Sequence, residues 1–319
     1  MKRVKREKAV QYAFTNSVKP VLKVSEGEEF TVETWDAIGN RIKTKEDLPV
    51  PKVLGELLDA TPMKTNFLAG PIFVEGAEKG DVLAVDVLDV VPAEHGVNFI
   101  LPGFGPLADS LKYRECSGPY THIIKHLPGP SGTTSDGEAL LETGEKWRLK
   151  PFIGTIGVAP EWETLGSLIS QGPWGGNLDC RDVCKGSRIY LPVFNKGALL
   201  FLGDVHGCQA DTEFCGVADE CAAELRLACT VIKKKRIPFV RIEKEESIVQ
   251  LSCYRPLEEA VKRACLWMID WLVEDYGKSQ RSAYIHLSIN PKVRVNVYQM
   301  LMADRLEFTV GVEFPKEHL

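Results

Sequence analysis

The sequence predicts a mainly β, β-sandwich-like fold with a smaller α+β section at its C-terminal end. Two observations carry this. Up to about residue 250, apolar residues recur in short runs, several with period two, parted by turns rich in Gly, Pro and Asp, which is the pattern of strands. From Pro256 the period changes: Leu257, Ala260, Val261, Ala264, Met268, Trp271 and Leu272 recur at three and four, the spacing of one helix face. A long run of strands followed by a few helices and strands predicts a sheet-built body over 1–250 and an α+β section over 251–319 packed on it rather than folding alone. With 319 residues the chain can bury a sizeable core.

Taken in order, Phe30, Val32 and Thr34 alternate with Thr31, Glu33 and Trp35, a strand after a Gly turn. Residues 37–65, with Pro49, Pro51 and Pro62, read as loop with one short helical turn at 52–59. Ile72–Glu75 and Val82–Val91 are strands around the turn Gly76–Gly80. Residues 95–150 are loop-rich, with 130–148 as an exposed insertion. His122 and His126 are four apart, but their segment, THIIKHLPGP, is β-branched and closes with Pro-Gly; a strand separates the rings and argues against a shared metal. Pro151–Pro160 is a buried strand whose Gly154 and Gly157 allow another backbone close approach. Ile189–Val193 and Ala198–Leu202 are apolar strands, Gly203–His206 is a turn, and Val217–Lys233 reads as one continuous strand. Pro238–Ile242 and Ile248–Leu251 follow. A helix then runs from Pro256 to Gly277, and Ser279 caps a second one reaching about Ser288. Val293, Val295 and Val297 mark a half-exposed strand, and Leu306–Val312 the last one.

A net charge of −5 gives no general attraction to nucleic acid, and the basic groups at Lys2–Lys8 and Lys233–Arg236 read as solvated charges. No run of about 18 apolar residues predicts a membrane span. Nine cysteines without disulfide-like spacing, and a start lacking an apolar secretory core, predict a reduced, cytoplasmic protein.

Chemistry concentrates in residues 172–220, where Asp179, Asp182, Asp204, His206, Asp211, Glu213 and Glu220 sit between recurring glycines. Asp204 and His206 are two apart and point the same way on extended backbone. Asp179 arrives from a separate Gly-rich turn. One imidazole with carboxylates from different strands is a normal ligand set for a divalent metal, and imidazole favours zinc. Glu213 or Glu220 offers a base beside it. The competing reading is a set of acids that cap turns. Cys208 and Cys215 flank His206 and invite a Cys–His reading, but no paired CxxC, GxSxG or Walker-type loop exists.

The segments GPWGGNLD and GSRIYLPVFNKGALLFLGDVHGCQADTEFCG, followed by Glu220, resemble the acetamidase/formamidase family. Weaker likeness extends to GPIFVEGAEKGD, FIGTIGVAP, the Met268–Leu272 helix and SINPKVRVNVYQ, so it covers nearly the whole chain. The resemblance implies metal-dependent hydrolysis of short aliphatic amides, formamide or acetamide in kind, to carboxylate and ammonia. It also implies a homo-oligomer, a dimer or higher. On this chain it suggests Asp179, His206, Glu220 and Asp204 for the metal, and Glu213, Asp211 and Gln209 as catalytic groups. Trp174, Gly175, Gly176 and Asn177 are the substrate-binding candidates, the two glycines through backbone N–H groups. Three departures stand out. Ala210 and Thr212 replace glycines and stiffen their loop against positive φ. Asn66 lies in a stretch where the family usually has a histidine. Trp174 stands where a smaller or polar residue is common. These leave two alternatives: hydrolysis of a larger or cyclic C–N bond, or a non-catalytic binding protein that retains a structural metal.

Overall fold

The structure is a computed structural model and describes residues 1–301 and 306–319. Among the described residues, two large sheets face each other. The first runs Lys2–Val4, Phe30–Thr34, Ala223–Ile232, Val82–Pro92, Arg188–Pro192, Arg241–Glu243, Ser247–Tyr254, Phe308–Pro315 and Arg294–Gln299. The second is centred on Leu200–His206, which pairs with Phe152–Val158, Glu220–Cys221 and Leu68–Val74. Val32, Val85, Leu225 and Leu251 of the first sheet share one buried cluster with Ile72, Ile156, Leu202 and Val205 of the second. This is the sandwich core that the sequence predicts.

Burial explains which strands alternate and which do not. Along Ala223–Leu227 the residues alternate buried and exposed, because one face meets the core and the other meets water. Phe152–Val158 and Leu200–His206 are buried at every residue. Their second face lies under a roof built from Ile38, Ile42, Leu54, Leu57, Phe99 and Val217. The helix Pro51–Leu58, where a short helical turn at 52–59 is expected, supplies part of that roof and has Pro in its first turn.

Three expectations change. The segment Val217–Lys233 is not one strand: Glu220–Cys221 pairs in the second sheet, the chain crosses at Ala222, and Ala223–Ile232 pairs in the first. Residues 203–206 are strand, not turn; the turn precedes them, with Ala198 and Leu199 at φ 57° and 61°. The 130–148 insertion contains two short strands, Glu138–Leu140 and Lys146–Arg148, on the sheet edge.

At the C-terminal end the helix Leu257–Tyr276 closes on Gly277 at φ 68°, whose N–H donates to the Val273 carbonyl. Ser279 caps Gln280–Ile289 by accepting from the Ser282 N–H. Ala264, Met268, Trp271 and Leu272 pack on Ile248, Val312 and Phe314 of the first sheet. The two strands of this section complete that same sheet, and Ser247–Tyr254 spans residue 250. No helix among the described residues is long and apolar enough to cross a membrane.

Candidate active site

The strand Leu200–His206 carries Asp204 and His206 into the space between sheet and roof. Glu220 stands opposite His206 on the next strand, and Thr155 lies on the strand to the other side. Asn177 pairs with Thr155, and Asp179 follows two residues on. Glu213 enters from the short 3-10 turn Asp211–Glu213. Asp179, Asp204, His206, Glu213 and Glu220 are between 1% and 6% exposed. Gly154 makes room for them: a Cβ there would lie 2.9 Å from the His206 ring.

Hydrogen bonding fixes the imidazole. The Gln209 amide donates to the carbonyls of Asp179 and Tyr298, both at 2.9 Å, which turns its oxygen toward His206. His206 Nδ1–H therefore donates to Gln209 Oε1 at 2.9 Å, and the lone pair is left on Nε2. Nε2 lies 3.6 Å from Asp204 Oδ1 and 3.3 Å from Glu220 Oε2. Glu220 Oε1 accepts from the Ala218 N–H at 3.0 Å, but its Oε2 is buried without a hydrogen-bond partner. Asp204 Oδ2 accepts from Asn66 Nδ2 and lies equally close to the Thr155 hydroxyl, each 2.8 Å away. Its other oxygen is left to face the imidazole.

A divalent cation fits this set. Ligand atoms of Asp179, Asp204 and His206 lie within 4.8 Å of one another, and so do those of His206, Glu213 and Glu220. A buried carboxylate oxygen with no donor is costly unless a proton or a cation meets it. Without a cation, protons compensate. Burial pushes Asp179 up to about 8 and Glu220 up to about 7, with neighbouring carboxylates adding to the rise and His206 opposing it. Burial and Asp179 hold Glu213 well above the usual carboxylate range. For His206, burial favours the neutral ring, yet the Glu220 and Asp204 charges outweigh it and raise its pKa well above the ordinary value. Asp204 moves the other way: burial raises it, but the neighbouring His206 charge and the hydrogen bond from Thr155 bring it below the ordinary value. Asn66, Asp179, Asp204 and Glu213 all hold left-handed φ, from 45° to 53°. Such conformations persist where the surroundings over-determine them, and they cluster at functional sites.

The cavity in front of these groups is about 70 Å³. Glu213 and Val217 line both it and a wider hollow of about 840 Å³, so their segment forms part of the wall between the two.

A family model described as the Acetamidase/Formamidase family matches residues 2–172 and 168–302. The chain belongs to that family. It is 25% identical to the acetamidase of Mycolicibacterium smegmatis over 84% of this chain and 82% of that protein. It is 29% identical to the formamidase of Methylophilus methylotrophus over 66% of this chain and 61% of that one, so it spans less than two thirds of the latter's length. The crystal structure of an acetamidase from Yersinia enterocolitica superposes with a TM-score of 0.84 at 32% identity, over 97% of this chain and 89% of that one.

Not every residue that the family likeness suggested reaches the cavity. Asp211 is half-exposed and pairs with Arg181 at 2.6 Å on the surface, because the 3-10 turn sends it outward and Glu213 inward. Gly175 and Gly176 lie off the cavity wall. A Cβ at either would come within 2.2 Å of a backbone oxygen, of Ile156 or Ser170, so both glycines allow close backbone packing there. Trp174 packs against the apolar core beside Phe14 and Phe201 and does not line the cavity. Asn177 does line it, 2.7 Å from the Thr155 hydroxyl. Gln209 acts through His206. Thr212 takes φ 73° despite its side chain, so the stiffening expected of this loop does not keep it from positive φ. Thr155 carries no signal in the sequence, and Asn66 stands out there only as a departure. Cys208 and Cys215 line the wider hollow and not the cavity that holds His206, and burial raises the Cys208 thiol above its ordinary value, so neither observation favours the Cys–His reading.

Proposed function

We propose that the chain is a metal-dependent amidohydrolase of short aliphatic primary amides, converting RCONH2 and water to a carboxylate and ammonium. One observation carries the reading: His206 Nε2 and Glu220 Oε2, 3.3 Å apart, are buried in a small cavity among three more carboxylates, and that oxygen has no donor. Asp179, Asp204, His206 and Glu220 are the residues that would hold a divalent cation, and one imidazole among carboxylates suits zinc. Bound there, such a cation supplies Lewis acidity toward a carbonyl and toward water.

The chain's own share is position and proton transfer. Gln209 keeps the imidazole in the tautomer that offers Nε2. Asn66 and Thr155 hold Asp204 from behind. Glu213 faces the same cavity beside the residues that would hold the cation, so its carboxylate is placed to act as the base. It takes a proton from the attacking water and delivers it to the amide nitrogen, which then leaves as ammonia and not as an amide anion. The acetamidase and formamidase relatives support the substrate class.

The purified protein is expected to hydrolyse acetamide, to lose activity on dialysis against a chelator and to recover it with zinc. Full activity in metal-free protein would defeat the metal-dependent reading. Stoichiometric metal with no turnover of any amide would favour the binding-protein alternative.

A further inference from the structure

The cavity has two unlike walls. The sheet side presents Asn66, Asn177 and the five titratable groups. The roof side presents Ile38, Leu54, Leu58, Phe99, Phe104 and Leu301, with no ionisable side chain among the described residues. Leu54 and Leu58 are four apart on the helix Pro51–Leu58 and so share one face. Leu54 is fully buried, whereas Leu58 at the helix end is half-buried.

We infer that this apolar roof gauges the acyl chain, with Leu58 as a specificity-determining residue, and that the enzyme prefers acetamide and propionamide to formamide and urea. The inference rests on the amidohydrolase reading above. The carbonyl and the nitrogen of an amide find their partners on the sheet side, which turns the remaining substituent toward the roof. Formamide places only hydrogen there and leaves the roof uncovered. Urea buries an amino group against it with no acceptor, which is unfavourable. The cavity is only about 70 Å³, which sets an upper limit on the acyl group. Branched and aromatic acyl groups are expected to exceed it. Each methylene laid on the roof is expected to raise kcat/KM about fourfold until the space is full.

The test compares kcat/KM for urea, formamide, acetamide, propionamide and butyramide in the zinc-loaded protein and in three variants. Leu58→Ala should move the optimum to longer chains and Leu58→Phe to shorter ones. Leu266→Ala, at a half-exposed position on the helix Leu257–Tyr276, should leave the order unchanged. Ratios taken within one protein are unaffected by loss of folded enzyme. An unchanged order in both Leu58 variants would overturn the inference while leaving the amidase reading intact, and so would formamide or urea as the best substrate. Failure of the parent protein to hydrolyse any amide would instead defeat the reading on which the inference rests.

Discussion

His126 and His206 lie on strands of the same sheet, both are buried, and both face buried carboxylates, yet their surroundings differ in one respect. His126 Nδ1 meets the Ala93 carbonyl at 2.7 Å and Nε2 meets Asp219 at 3.0 Å, so both ring nitrogens face acceptors. Burial favours its neutral form, but Asp219 outweighs burial and its pKa is raised. It is a closed ion pair. His206 spends one nitrogen on Gln209 and leaves the other facing carboxylate oxygens without a completed hydrogen bond. Burial and acidic neighbours are common to both. A lone pair and a carboxylate oxygen left without donors are what separate a site that can take a cation from one that is already neutralised.

The largest expected effect comes from breaking each half of this comparison in turn. His206→Ala should remove the bound metal and bring amide hydrolysis to background. His126→Ala should keep the metal but destabilise the fold by about 3–5 kcal/mol, because Asp219 is then buried without its partner. Metal analysis and denaturant unfolding of the two variants, side by side, check both. Metal retained in folded His206→Ala, or lost from folded His126→Ala, would erase the distinction.

Next in size is the link between Gln209 and the imidazole. Gln209→Leu removes the acceptor for Nδ1–H and both donors that anchor it, and metal affinity should fall about 10–100-fold. Gln209→Glu keeps an acceptor and should lie closer to the parent. Competition against a chromogenic chelator reads the affinity without relying on turnover. Equal affinity in Gln209→Leu would mean that strand geometry alone sets the ring.

The same contrast shows what the sequence could reveal. Asp179, Asp204 and His206 were legible because glycine-rich turns and close spacing put polar groups on extended backbone. Glu220 was harder. It belongs to a stretch whose apolar pattern continues past it, and periodicity cannot see the chain change sheets at Ala222. Asp211 and Glu213 are two apart and chemically alike, so only the turn between them decides which is buried. Thr155, Leu54 and Leu58 carry no local signal, because they meet the site only through tertiary packing. Thr155 still falls in the expected strand, and Leu54 and Leu58 fall in the expected helical turn, which extends over Pro51–Leu58.

Thr212 gives the smallest effect and tests whether strain serves the site. Its φ of 73° is poorly suited to a β-branched residue, whereas Ala210 nearby sits at an ordinary −82°. Left-handed backbone costs an L-residue about 1–2 kcal/mol, and glycine's extra chain entropy in the unfolded state returns about 0.5–1 kcal/mol of that. Thr212→Gly is therefore expected to raise stability by up to about 1 kcal/mol, read from the denaturation midpoint. The backbone bond from Met300 N–H to the Thr212 carbonyl can persist. What changes is the stiffness of the turn that aims Glu213. If that stiffness positions the proton carrier, kcat falls while metal content stays constant, and this is the expected outcome. A gain in stability with unchanged kcat would mean that the bonds from Glu213 N–H to the Ala210 carbonyl and from Gly216 N–H to the Glu213 carbonyl hold the side chain in place without help from the strained residue.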